Sequence, residues 1–211
     1  MFKLFKPVLI SALVMLGPLS DAAEQSRTVP EFKTITSKGA FVLNVDVGQA
    51  QSVKIKSDKG NLDAVKTEVV GNELVLSYKQ HKSTYNSDET VEITIGAPVL
   101  TRLRLAGAGA TEVRHASGEQ LELISEGAGI LKVSGKIRNL SLVAKGVGMV
   151  DARALDAQNA EVVLNGVGAV EVHVSNALNA SVNGIGALTY YGNPAHVNKS
   201  VNGLGHVGSG D

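Results

Sequence analysis

The sequence predicts an all-β chain: a single-domain β-solenoid, in the form of a right-handed parallel β-helix with coils of about nineteen residues. Three observations carry that expectation. A Gly-x-Gly frame recurs six times at near-constant spacing, the residues between frames alternate apolar and polar at period two, and no segment shows the 3.6-residue periodicity of an amphipathic helix.

Residues 1–22 read as a secretory signal peptide. Lys3 and Lys6 form a basic start, 8–16 is an apolar run, Gly17-Pro18 breaks it, and Ser20-Asp21-Ala22 supplies the small residues of a cleavage site after Ala22. The apolar run is well short of the ~20 residues that span a bilayer. The product is therefore expected to be exported, periplasmic or extracellular, without a membrane span once the signal is removed. The chain contains no Cys. That excludes lipid anchoring through an N-terminal cysteine, disulfide scaffolds, thiolate metal sites and a catalytic cysteine. Residues 23–30 are polar, end in Pro30, and are expected to form a flexible leader.

Within the domain 31–211, residues 31–100 alternate without the glycine frame. Strands are expected at 41–47, 52–56, 73–78 and 91–95, with turns at Lys59-Gly60-Asn61 and Gly71-Asn72 and a long polar stretch over 79–90. No linker follows, so this part is expected to join the same architecture and cap its first coil.

Residues 101–211 carry the frame, at Gly107/Gly109, Gly127/Gly129, Gly146/Gly148, Gly166/Gly168, Gly184/Gly186 and Gly203/Gly205, with spacings of 20, 19, 20, 18 and 19. Four residues before each first glycine stand Leu103, Leu123, Leu142, Val162, Ala180 and Lys199; four residues after it stand Thr111, Leu131, Val150, Val170, Leu188 and Val207. A unit this short cannot cover its own apolar face, so successive units must stack, about 4.8 Å apart. Stacking puts Arg102 over Glu122 and Glu126 over Lys145, and alternates Glu112, Lys132 and Asp151, although Asp151 over Glu171 breaks the pattern. The glycines serve as corners where the chain needs positive φ or close backbone approach. Asn165, Asn183 and Asn202, each just before a corner, are placed to form a side-chain ladder. Lys199 and Ser200 replace the aliphatic residues of earlier coils, a polar ending that caps the stack against edge pairing.

A secreted chain of alternating strands that passes through Val91-Glu92-Ile93-Thr94-Ile95-Gly96-Ala97-Pro98-Val99-Leu100 into Gly-x-Gly coils resembles the auto-transporter adhesin head domain of the GIN type, a bacterial family. The likeness covers roughly 31–207. It implies a β-helical envelope or secreted protein with an adhesive role. No translocator barrel follows, so self-export as an autotransporter is not expected.

Chemical signatures point away from catalysis. The glycine frames lie between strands, not at the start of a helix, so they are not phosphate cradles. His81, His115, His173, His196 and His206 show no metal-ligand spacing, and no nucleophile elbow is present. Asp88-Glu89, Glu122/Glu126 and Asp151/Glu171 are read as solvated surface charge. With 20 basic and 20 acidic residues there is no footprint for nucleic acid. The expected function is a non-enzymatic, adhesin-like interaction with a protein or glycan, with no cofactor, no catalytic residue and no metal; self-association is compatible with this. The alternatives are a polysaccharide-active lyase or hydrolase on the same fold, and a purely structural envelope protein. Tyr85, Tyr190 and Tyr191 are the candidate ligand contacts, because exposed tyrosines stack on sugars or anchor partners.

Overall fold

The computed structural model describes residues 23–60, 62–79 and 90–211. The expected signal peptide 1–22, Asn61 and residues 80–89, with His81, Tyr85, Asp88 and Glu89, lie outside the described residues.

Period-two alternation becomes strands throughout. They are β1 (Ala23–Arg27), β2 (Thr34–Ser37), β3 (Phe41–Val47), β4 (Ser52–Ser57), β5 (Val65–Val70), β6 (Glu73–Tyr78), β7 (Val91–Ala97), β8 (Arg102–Leu105), β9 (Ala108–Ser125), β10 (Ala128–Ala144), β11 (Val147–Leu164), β12 (Val167–Val182), β13 (Ile185–Tyr191), β14 (His196–Val201) and β15 (Leu204–Ser209), with one 3₁₀ turn at Leu62–Ala64. β9 to β12 are 18, 17, 18 and 16 residues long, and each bends midway to serve both faces of the solenoid. The coils stack in parallel, β9 on β10 on β11 on β12. The chain is thus an all-β, single-domain β-solenoid.

One face continues past β9 through β3, β7, β4 and β1; the other continues through β8, β2, β6 and β5. The layer holding β2 and β3 lies between the layer of β6 and β7 and the layer of β8 and β9. Sequence order and stacking order therefore differ in the N-terminal third. Antiparallel β4 and β5 close the stack against β7 and β6.

The leader expected over 23–30 begins instead as a strand. β1 pairs antiparallel with the free edge of β4, from Ala23 on Ser57 to Arg27 on Val53. Arg27 Nη2 then donates to Leu62 O at 3.0 Å, and Gln51 Nε2 donates to Val29 O and Pro30 O at 3.0 Å. Polar composition hides this strand, because an edge strand in solvent needs no apolar face.

Side chains of one register position pile into columns inside the solenoid. Leu74, Ile35, Leu103, Leu123, Leu142, Val162 and Ala180 form one, each no more than 4% exposed. Leu43, Thr111, Leu131, Val150, Val170, Leu188 and Val207 form another. The middle residues of the glycine frames point the other way. Ala108, Ala128, Val147, Val167, Ile185 and Leu204 make an outward aliphatic column in which Ile185 is 54% and Leu204 80% exposed.

The glycine corners are set by space. A Cβ on Gly127, Gly146, Gly166, Gly184 or Gly203 would fall on the carbonyl oxygen of the matching glycine one layer below. The second glycines are equally confined, and Gly129, Gly148 and Gly168 also hold positive φ near 150°. The ladder starts one layer before the six frames, since a Cβ on Gly107 would fall on Gly39 O. Phe41 pairs with Gly109 there, which is why the Gly39-Ala40-Phe41 corner is not visible as a repeat.

The opposite corner absorbs every difference in coil length. Gly109, Gly129, Gly148, Gly168, Gly186 and Gly205 stay in direct register, whereas the pairing shifts between Val133 and Gly135, between Lys132 and Ser134, and between Ala152 and Asn159. Unequal spacings in the sequence are thus local bulges at one edge.

At the far end, β14 is exposed along its whole length and pairs only with β12. Lys199 sits in the column above Ala180, with its Nζ 4.6 Å from the centre of the Tyr190 ring. An ammonium at the open end of an aliphatic column disfavours the addition of another layer. Asp211 Oδ2 accepts from Gly192 N at 2.8 Å and from Asn193 N at 3.3 Å, holding the last turn, where both residues have positive φ.

Two outcomes follow from the inward and outward columns. Leu142→Ala should lower the unfolding free energy by about 2–5 kcal/mol, while Ile185→Ser should change it by less than about 0.5 kcal/mol, both read by urea denaturation. Lys199→Leu should raise the sedimentation coefficient with protein concentration relative to the parent; identical sedimentation would contradict the cap.

Candidate ligand-binding groove

On the face formed by β8 and the second halves of β9 to β12, a groove of about 760 Å³ runs along the stack. That volume is within the range of ligand clefts. Its floor is made of two register columns: Gln120, Asn139, Asn159 and Ala177, and beside them Glu122, Ser141, Glu161 and Asn179. Thr34, Thr101 and Arg102 continue it, and the β5–β6 turn with Asn72 closes one end. From β6 to β12 this is six interlayer steps, roughly 29 Å.

Strand alternation explains why the lining is polar. Leu121, Leu140 and Ala160 are buried between the outward residues and show the groove only their backbone side. The amide column is a hydrogen-bonded ladder: Asn176 Nδ2 donates to Asn159 Oδ1 at 2.8 Å, Asn159 Nδ2 to Asn139 Oδ1 at 3.0 Å, and Asn139 Nδ2 to Glu119 O at 3.2 Å. The spacing hides this ladder because Ala177, not an amide, follows Asn139 and Asn159 in the register column, and Asn176, one residue out of register, supplies the next amide. The expected ladder at the glycine corner is present, with Asn202 Nδ2 donating to Asn183 Oδ1 at 3.2 Å and Asn183 Nδ2 to Asn165 Oδ1 at 2.8 Å.

Ion pairs bind the layers together. Arg102 Nε lies 2.6 Å from Glu122 Oε2, and Lys145 Nζ 3.4 Å from Glu126 Oε1. Arg104 Nη2 lies 2.6 Å from Glu126 Oε2. Hydrogen bonding from Arg104, with Lys145 adding to it, holds the Glu126 carboxyl below the usual carboxylate range. The like charges of Asp151 and Glu171 are reconciled by Arg153, whose Nη2 is 2.8 Å from Asp151 Oδ2 and whose Nε is 3.3 Å from Glu171 Oε2. Hydrogen bonding from Arg153 lowers the Asp151 pKa, against the opposing effect of burial, and the same contact raises that of Arg153.

Tyr190 and Tyr191 are both half-buried, and neither lines the groove. Tyr190 packs on the core beneath Lys199, and the Tyr191 ring lies against Gly210. His115 Nδ1 is 2.9 Å from Asp46 Oδ1, and His173 Nδ1 is 3.8 Å from Asp156 Oδ1. Among the described residues no group of three His, Cys, Asp or Glu could hold a metal ion. Among them also, no helix is long and apolar enough to cross a membrane.

Residues 31–194 match the family described as "Putative auto-transporter adhesin, head GIN domain". Among solved structures, a "putative adhesin" from Bacteroides fragilis NCTC 9343 is 22% identical, with a TM-score of 0.72 over 91% of this chain and 98% of that one. A "putative lipid binding protein" from Parabacteroides distasonis ATCC 8503 is 18% identical, with a TM-score of 0.48 over 90% and 97%. A "putative adhesin" from the same strain is 18% identical, with a TM-score of 0.44 over 89% and 96%. No curated protein matches.

The Arg153 bridge gives a pH signature. A depressed Asp151 pKa contributes stability that is present above the unfolded carboxyl's pKa and is lost as pH falls through the folded value. Arg153→Ala should therefore be less stable than the parent at about pH 6, read as a lower urea midpoint. The gap should begin to narrow near pH 4, about the unfolded carboxyl's value, and close as pH passes the lower folded value of Asp151. Urea midpoints across that range check it.

Proposed function

The chain belongs to this family of adhesin heads, and we propose that it is an exported, non-enzymatic binding protein of the cell envelope or exterior. In this reading the signal segment 1–22 is removed after Ala22. Residues 31–211 form the binding domain, a right-handed β-helix with coils of about nineteen residues, and neither lipid anchor nor cofactor is needed. Right-handedness rests on the near-universal hand of parallel β crossovers. The observation that carries the binding role is the groove. It is long, open and polar, and it is built on stacked strands that hold its side chains at fixed intervals.

A rigid ladder suits binding better than turnover. The groove's carboxylates, Glu73, Glu122 and Glu161, include two already engaged, Glu122 by Arg102 and Glu73 by the Thr36 hydroxyl. General acid–base hydrolysis needs two carboxyl groups free to exchange protons with the substrate. Half-buried Tyr190 and Tyr191 fit a supporting place at the end of the stack, and Tyr85 stays a candidate contact.

Asn179→Trp places a large ring in the groove at an exposed position. It should abolish binding of the secreted chain to cell-surface material while leaving the thermal midpoint unchanged. Undiminished binding, or release of reducing ends from polysaccharide by the parent chain, would overturn the reading.

A further inference from the structure

We propose that the groove takes an uncharged, polyhydroxylated chain, that is, a neutral glycan lying along the stack. This rests on the binding role proposed above and names the ligand class.

Four side chains of the floor, Gln120, Ser141, Glu161 and Asn179, have no hydrogen-bond or ion-pair partner among the described residues. Asn139 and Asn159 each keep one N–H and one acceptor lone pair after their contacts along the stack are made. The groove therefore offers donors and acceptors mixed along its length, repeating at each layer. A hydroxyl is both donor and acceptor, so a run of sugar hydroxyls matches such a surface, whereas an all-acceptor anion leaves the carboxylate and amide oxygens unpaired.

Charge narrows the class further. Arg102 is the one cation among the described lining residues, and it stands 2.6 Å from Glu122. Uronate, sulfate or phosphate groups would meet no unpaired cation among the described lining residues and two carboxylates without an ion-pair partner, Glu73 and Glu161. A polycation fares little better, since the two carboxylates without an ion-pair partner among the described residues, Glu73 and Glu161, stand five layers apart in one column, roughly 24 Å. An extended peptide needs apolar pockets for alternate side chains. Among the described outward residues of the groove, Val70 at 60% exposure is the one large apolar side chain. Glu161, between Ser141 and Asn179 in its column, is the residue placed to accept two neighbouring hydroxyls.

The test is an array of neutral, uronate- or sulfate-bearing and amino-sugar chains, probed with the full secreted chain, Glu161→Gln and Asn179→Trp. The expected result is capture by neutral chains, changing less than about twofold when salt rises from low to high ionic strength. Glu161→Gln should weaken it about tenfold, the scale of a charge-assisted hydrogen bond, and Asn179→Trp should abolish it. Preference for acidic or amino-sugar chains, steep salt dependence, or no glycan captured would overturn the ligand class. If Asn179→Trp still abolishes binding to cell-surface material in those cases, the binding role stands and the neutral glycan alone falls. If it does not, both fall.

Discussion

The structure depends on how closely two backbones approach at the glycine corner. Layers hydrogen-bonded about 4.8 Å apart leave no room for a Cβ that points along the stack, and at this corner the Cα–H direction does point there. Each glycine is thus required by the one below it. Val147 N donates to Gly127 O at 3.0 Å, Val167 N to Gly146 O at 3.0 Å and Ile185 N to Gly166 O at 3.1 Å, so the corner carbonyls that exclude a Cβ also carry the interlayer hydrogen bonds. With the corner fixed, inward residues meet inward residues and the core becomes a set of aliphatic columns. Few aromatic residues are needed, because Leu, Val and Ala of matching register fill a narrow interior.

A stack of parallel strands has two ends, and the two are treated differently. At the N-terminal end, antiparallel β4 and β5 turn the parallel ladder back on itself, and β1 covers the edge of β4. At the C-terminal end the ladder stops in mid-pattern, with Lys199 over Tyr190. Between the ends, surface charge follows the layers. Arg104, Glu126 and Lys145 form one run across three layers, and Arg153 spans two. The cations of these pairs are about half exposed, which keeps each pair individually weak. Their consistent orientation matters more for register than for total stability.

What could be read from the sequence follows from which corner is regular. The glycine corner keeps strict register, so the columns of Leu123, Leu142 and Val162, the pair Arg102–Glu122 and the ladder through Asn183 are all visible as spacing. The column of Glu122, Ser141, Glu161 and Asn179 keeps the same spacing, but alternation alone does not say that it lines a groove. The ladder through Asn159 is hidden because Ala177 stands in its column and the next amide comes from Asn176, one residue out of register. Arg153 is hidden for a different reason: it lies where pairing with the next strand is interrupted, between Ala152 and Asp156, and so belongs to no register column. The N-terminal third alternates clearly, yet nothing local says that β2 and β3 lie inside β6 and β7 in the stack. That order is decided by long-range pairing.

Layer register can be measured directly, because the chain has no cysteine to interfere. Nitroxide labels at Glu122→Cys and Ser141→Cys sit on adjacent strands at one register position. Continuous-wave electron paramagnetic resonance should show strong spin–spin broadening for this pair. Labels at Glu122→Cys and Lys136→Cys should show little, since Lys136 lies over Ser117. Sharp lines from the first pair, or equal broadening from both, would contradict the stacking on which the account rests.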